Sequence, residues 1–211
     1  MRDSLSQPSR PPASVAVSIG RPSARPLPRE RRPPLLVVGM ILFLGSELMF
    51  FAALFGMYFT LRAEAAPALW TPPDIKVDGL RLFFTSVLIA SSGTMQMAVH
   101  RVKQGNVSSM KRWTVLTMVM GITFLAGQAH EWINLPFTIA SDAYGSAFYA
   151  MTGFHGLHVF AGLLIMMVML GRAATGAYSD REYAGVEVTA YYWHFVDIVW
   201  IGLFTTIFVI R

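Results

Sequence analysis

Seven ionisable side chains interrupt otherwise apolar stretches of this chain: Glu47, His130, Glu131, His155, His158, His194 and Asp197. A charged group at the centre of a bilayer costs at least about 2.5–3.5 kcal/mol on insertion scales, so such residues normally face protein or a cavity. Glu47 lies in Ser46-Glu47-Leu48-Met49-Phe50-Phe51, where a carboxyl among apolar neighbours is most easily held as the neutral acid. It can serve as a protonatable group on a proton path or beneath a lipid headgroup. It can equally be structural, bonding to a neighbouring helix. Residue chemistry alone leaves both readings open.

His155 and His158 are three residues apart and share a helix face. Imidazole is a frequent metal ligand. Two histidines among Thr152, Gly153 and Gly156 nevertheless fit hydrogen bonding across a tight helix contact better, so no metal is assigned to them. His194 and Asp197 have the same spacing, in Trp193-His194-Phe195-Val196-Asp197, and are expected to form a partly buried pair. Such a pair resembles a proton relay or an oriented metal ligand. With no third catalytic group nearby in sequence, structural pairing is the better reading, and no catalytic residue is assigned. Cysteine is absent, which excludes disulfides, thiolate metal sites and cysteine nucleophiles.

The elements that carry these residues are apolar. The 211-residue chain is 54% hydrophobic and only 14% charged, against about 25% charged in soluble domains. Its mean hydropathy is +0.49. A membrane-crossing helix needs about 20 apolar residues. Five stretches qualify: Leu35–Leu61, Leu80–Val99, Trp113–Ile133, Tyr144–Leu170 and Val188–Ile210. In lipid every backbone group must be satisfied within its element, so an all-α bundle of five transmembrane helices is expected. Small residues at four-residue spacing, Ala52/Gly56 and Thr152/Gly156, are expected at close helix contacts.

Residues 1–34 differ from the rest, with eight prolines, seven arginines and no sustained apolar run. Such a segment buries too little surface to offset its ordering entropy, and a disordered basic tail is expected there, ahead of a membrane domain over 35–211. The tail's seven arginines join Arg101, Lys103, Lys111, Arg112, Arg172 and Arg181 on one side of the membrane. Arg62, Lys76, Arg81 and Arg211 fall on the other. The positive-inside rule then predicts a cytoplasmic N-terminus and a C-terminus outside. Trp70, Trp113 and Trp132 fall at or near span ends, where interfacial aromatics are favoured.

Three motifs go further. Gly39-Met-Ile-Leu-Phe-Leu-Gly-Ser-Glu47-Leu-Met-Phe-Phe51 resembles the segment of cytochrome c oxidase subunit III that bears a carbodiimide-reactive glutamate. Tyr144-Gly-Ser146, followed by Thr152-Gly-Phe-His155-Gly-Leu-His158-Val159, is similar to a second signature of that family. Tyr192-Trp-His194-Phe-Val-Asp197-Ile-Val-Trp200 is similar to its C-terminal motif. They occur in family order. The long form of the family has seven spans; this chain resembles the short five-span form of actinobacterial-type oxidases.

The resemblance implies a non-catalytic subunit of the terminal oxidase of aerobic respiration, multi-pass in the bacterial plasma membrane. Haem and copper would then reside in partner subunits I and II, with none in this chain. Packing on subunit I, phospholipid binding, support of proton uptake and protection of the active site from inactivation are implied as well. By the same resemblance Glu47 is the carbodiimide-reactive carboxyl, while Glu131, His155, His158, His194 and Asp197 are motif residues of open role. A supercomplex with a cytochrome bc complex fits the family; nucleic acid does not enter. A quinol oxidase or nitric oxide reductase accessory subunit would share the fold. An independent transporter is disfavoured, because no broken helices or paired half-repeats are evident.

Overall fold

The computed structural model describes residues 34–65, 70, 77–176, 178 and 183–210. The Pro/Arg-rich segment expected to be a tail, residues 1–34, lies outside the described residues except for Pro34. Among the described residues there are five long helices and no strand: α1 Leu35–Glu64, α2 Gly79–Lys103, α3 Val107–Asn134, α4 Ala143–Ala174 and α5 Ala184–Phe204. A π-helical turn, Thr205–Ile210, continues α5.

Hydropathy located the helices, but capping side chains set several of their ends. Asp78 accepts a hydrogen bond from the Arg81 backbone N–H at 2.8 Å, Asn106 from that of Ser109 at 2.9 Å, and Asp142 from that of Gly145 at 2.6 Å. Each satisfies one of the orphan donors of a first helical turn. This is why α2, α3 and α4 start before the apolar runs that reveal them. The turn between α2 and α3 passes through Gly105 at φ +75°, a conformation that glycine adopts without steric cost.

Helices α2, α3, α4 and α5 form a ring in which each packs on the next and α5 closes back onto α2. Helix α1 lies against α4 and α5. It buries only Phe51 and Tyr58, so most of its apolar surface faces outward, as a lipid-facing helix requires. Four helical segments are long and apolar enough to cross a membrane: Leu35–Glu64, Gly79–Lys103, Ala143–Ala174 and Ala184–Ile210. Helix α3 is long enough, at 28 residues, but is not among them. Lys111 and Arg112 lie near its start, and Gln128, His130 and Glu131 near its end.

Trp193, fully buried, fills the centre of the ring. Two glycines make room for it: a Cβ would lie 2.7 Å from the ring edge at Gly121 and 2.9 Å from it at Gly162. At Gly127 the close neighbour is the ring of Phe84. Close approach thus falls on glycines other than those expected. Ala52 and Gly56 are exposed, with nothing within 4 Å of a Cβ at Gly56, because α1 turns that face away from its neighbours. Thr152 is fully buried in α4, whereas a Cβ on Gly156 would meet only Leu125 at 3.8 Å. Trp70 also departs from expectation. It is 4% exposed and packs edge-on against Tyr58 and Tyr144, inside the protein instead of at a lipid interface.

Candidate functional site

The ionisable groups resolve into separate units. In the first, Glu47 of α1 meets His158 of α4, with Oε2 and Nε2 2.9 Å apart. The side chains are 21% and 14% exposed. His158 donates from Nδ1 to the Phe154 carbonyl at 2.7 Å, which fixes the ring and leaves Nε2 for the acid. Two placements of one proton satisfy this contact: a neutral acid donating to Nε2, or an imidazolium donating to a carboxylate. Phe50 stacks near the imidazole and Phe51 meets it edge-on, with centroids at 6.2 and 4.9 Å. The Tyr192 hydroxyl of α5 donates to the His158 carbonyl at 3.1 Å, so three helices converge here.

His155 shares its helix with His158 but not its partners. It is fully buried and donates from Nε2 to the Val196 carbonyl of α5 at 3.3 Å. Trp200 lies over its ring at 4.8 Å and Phe124 meets it edge-on at 5.7 Å. His155 thus bonds across the contact between α4 and α5, while His158 turns outward to α1.

His194 and Asp197 do not pair directly. Ser92 of α2 lies between them, its Oγ 3.0 Å from His194 Nδ1 and hydrogen-bonded to Asp197 Oδ2. His194 Nε2 is 3.3 Å from Gln96 Oε1. Two α5 side chains three residues apart converge on one α2 position, and the hydroxyl fills the space. Sequence reading missed Ser92 and Gln96. The available signal was their four-residue spacing on α2, which puts two polar groups on one face of an apolar helix.

Glu131 is partnered by another residue that sequence reading left unpaired. Arg81 Nε donates to Glu131 Oε1 at 2.9 Å, with the side chains 14% and 18% exposed. Asp78 approaches the same guanidinium at 3.8 Å, and the Phe208 ring centroid lies 5.3 Å from it. A cavity of about 250 Å³ opens beside this pair, lined in part by His130 and Asn134. At the opposite end of α2, Lys103 bonds Glu187 of α5 at 2.6 Å. Among the described residues no group of three or more His, Cys, Asp or Glu side chains gathers as a metal site would require.

These features define an embedded helical protein whose polar chemistry lies in acid–histidine units between helices. The family model described as cytochrome c oxidase subunit III matches residues 34–210. The chain is 46% identical over 184 residues to a protein of Nocardia farcinica, and 47% identical over 184 residues to one of Mycobacterium tuberculosis. Each match covers 85% of this chain and 90% of the relative. A protein of Corynebacterium diphtheriae is 44% identical over 185 residues, with the same coverage. All three are named as cytochrome c oxidase subunit 3. This chain belongs to the cytochrome c oxidase subunit III family. It is therefore a component of a respiratory oxidase complex and works alongside other oxidase subunits.

Proposed function

We propose that this chain is the non-catalytic subunit III of a proton-translocating cytochrome c oxidase in a bacterial plasma membrane. In this reading it packs on subunit I, binds phospholipid, supports proton uptake and protects the active site from inactivation. All five helices cross the bilayer, α3 included, with the N-terminus in the cytoplasm. A 28-residue helix spans about 42 Å, enough for the hydrocarbon core even with its charged ends in the headgroup regions. Haem and copper reside in the partner subunits. His155, His158 and His194 each bond to groups of this chain, which supports that assignment.

The observation that carries the reading is the Glu47–His158 contact. It joins the first family motif to the second at one protonatable site, as a subunit that handles protons without electrons requires. Mass analysis of the native detergent-extracted complex tests it, reporting partners and retained lipid together. The expected result is co-purification with a haem-a subunit and a partner bearing a cysteine-rich copper domain. A haem partner without that domain would move the reading to a quinol or nitric oxide enzyme. A stable oligomer of this chain alone, with substrate-dependent flux, would overturn it. The separated subunit is expected to show no visible haem spectrum.

A further inference from the structure

We propose that Asp197, Ser92 and His194 form a proton-sharing relay that opens toward the cytoplasm through Gln96. The direction of opening rests on the orientation proposed above, and the relay deepens the proton-uptake reading by placing it at named atoms other than Glu47.

The chemistry follows from donors and acceptors. Ser92 Oγ touches both Asp197 Oδ2 and His194 Nδ1, so acid and imidazole communicate only through a hydroxyl. With Nε2–H of His194 directed at Gln96 Oε1, two arrangements satisfy every contact. In one, the neutral Asp197 acid donates to Ser92, and Ser92 donates to Nδ1 of a neutral imidazole. In the other, an imidazolium Nδ1–H donates to Ser92, and Ser92 donates to the Asp197 carboxylate. Interconversion passes the acid proton to Oγ as the hydroxyl's own proton passes to Nδ1. Two O–H bonds break, one O–H and one N–H form, and the net charge of the triad is unchanged.

Asp197 is only 3% exposed, and among the described residues its Oδ1 finds no hydrogen-bond partner. Buried polar atoms are nearly always paired, so an exception calls for an explanation, and a carboxyl that exchanges a proton is one. The seam has one open end. Toward the outside, Trp200 donates to Thr85 at 3.2 Å and Leu88 of α2 is fully buried, while level with the relay Trp193 donates to Ser91 at 2.9 Å. An indole N–H donates but has no lone pair to accept, so it cannot pass a proton on. Toward the cytoplasm, Ser92, Gln96 and His100 recur every fourth residue on α2, and just past its end Gln104 Nε2 lies 2.9 Å from His100 Nε2. Gln96, His100 and Gln104 are exposed. Such a polar stripe within a spanning helix must be met by water or by protein, not by lipid.

Titratable groups on the helices packed around the relay are Glu47, Tyr58, Arg62 and Glu64 of α1, Arg81, His100, Arg101 and Lys103 of α2, Lys111, Arg112, His130 and Glu131 of α3, and Tyr144, Tyr149, His155, His158 and Arg172 of α4. Glu187, Tyr191 and Tyr192 share α5 itself. Among the described residues none of these hydrogen-bonds Asp197 or His194, so Ser92 is the coupling element.

The test is a pH titration by infrared spectroscopy of the intact detergent-extracted complex, with isotope-labelled aspartate and histidine. In the wild type, one aspartate carboxyl band and one imidazole band should titrate together, and Asp197→Asn should remove the carboxyl change and move the imidazole one. Ser92→Ala should decouple them, whereas Ser92→Thr, which keeps the hydroxyl, should restore joint titration. Coupled groups interact by more than about one pK unit, so a change in the imidazole midpoint of that size on Ser92→Ala is expected. Coupling that survives Ser92→Ala, or an aspartate band that titrates with no histidine response, overturns the relay. If Asp197→Asn fails to assemble, the Ser92 pair of variants decides alone. Absence of a haem-a partner from the same sample would sink the oxidase reading without touching this result.

Discussion

His158 Nε2 lies 2.9 Å from Glu47 Oε2, a contact between residues 111 positions apart that fastens α1 to α4. Glu47→Gln and His158→Gln should therefore be strongly non-additive. A double-mutant cycle read from unfolding in detergent should give a coupling of about 1–2 kcal/mol, the upper range for polar contacts between membrane helices. Carbodiimide should label the chain at Glu47, and Glu47→Gln should abolish that labelling; undiminished labelling contradicts the assignment.

Trp193 occupies a slot shaped by Gly121 and Gly162. Gly121→Ala and Gly162→Ala should each cost about 1–3 kcal/mol through overpacking, despite the better helix propensity of alanine. Gly56→Ala, with nothing within 4 Å, should be neutral or mildly stabilising. Thermal unfolding of the three variants in one detergent checks the order.

The two ion pairs along α2 should behave differently. Arg81–Glu131 is mostly enclosed, so Glu131→Ala should be clearly destabilising, by up to about 3–5 kcal/mol, because it removes a carboxylate bonded to a largely enclosed cation. Lys103 is 45% exposed, and Glu187→Gln should cost no more than about 1 kcal/mol. The second loss should shrink as salt is raised and the first should persist, which denaturation at two ionic strengths would show.

The absence of cysteine makes the topology directly measurable, since any introduced thiol is the only one. Ser108→Cys, in the first turn of α3, and Ala140→Cys, beyond its C-terminal end, both lie at exposed positions. An impermeant thiol reagent added outside intact cells should label Ala140→Cys and spare Ser108→Cys. Labelling of both from one side would mean that α3 does not cross.

The helices were legible because hydropathy survives in sequence, but the starts set by Asp78, Asn106 and Asp142 were not read, because a cap adds nothing to an apolar run. Contacts between helices were less so. Sequence pairs His155 with His158 and His194 with Asp197, since three-residue spacing puts side chains on one face. It cannot say what the facing helix brings. At His158 that was Glu47, at His155 the Val196 carbonyl, and at His194 and Asp197 a serine. Small residues misled for the same reason: Gly56 and Gly121 look alike in sequence, and only the arrival of Trp193 tells them apart.

The widened last turn of the bundle is closed by side chains of α1. The Tyr58 hydroxyl donates to the Thr206 carbonyl at 3.4 Å and Arg62 Nη2 to that of Ile210 at 3.2 Å. Since α1 otherwise sinks only Phe51 and Tyr58 into the protein, these clasps and the Glu47 contact are its chief moorings. Drawn by a mechanical handle ahead of Leu35, α1 should peel away as a unit at low force, leaving the ring of the other four intact until a second, stiffer rupture.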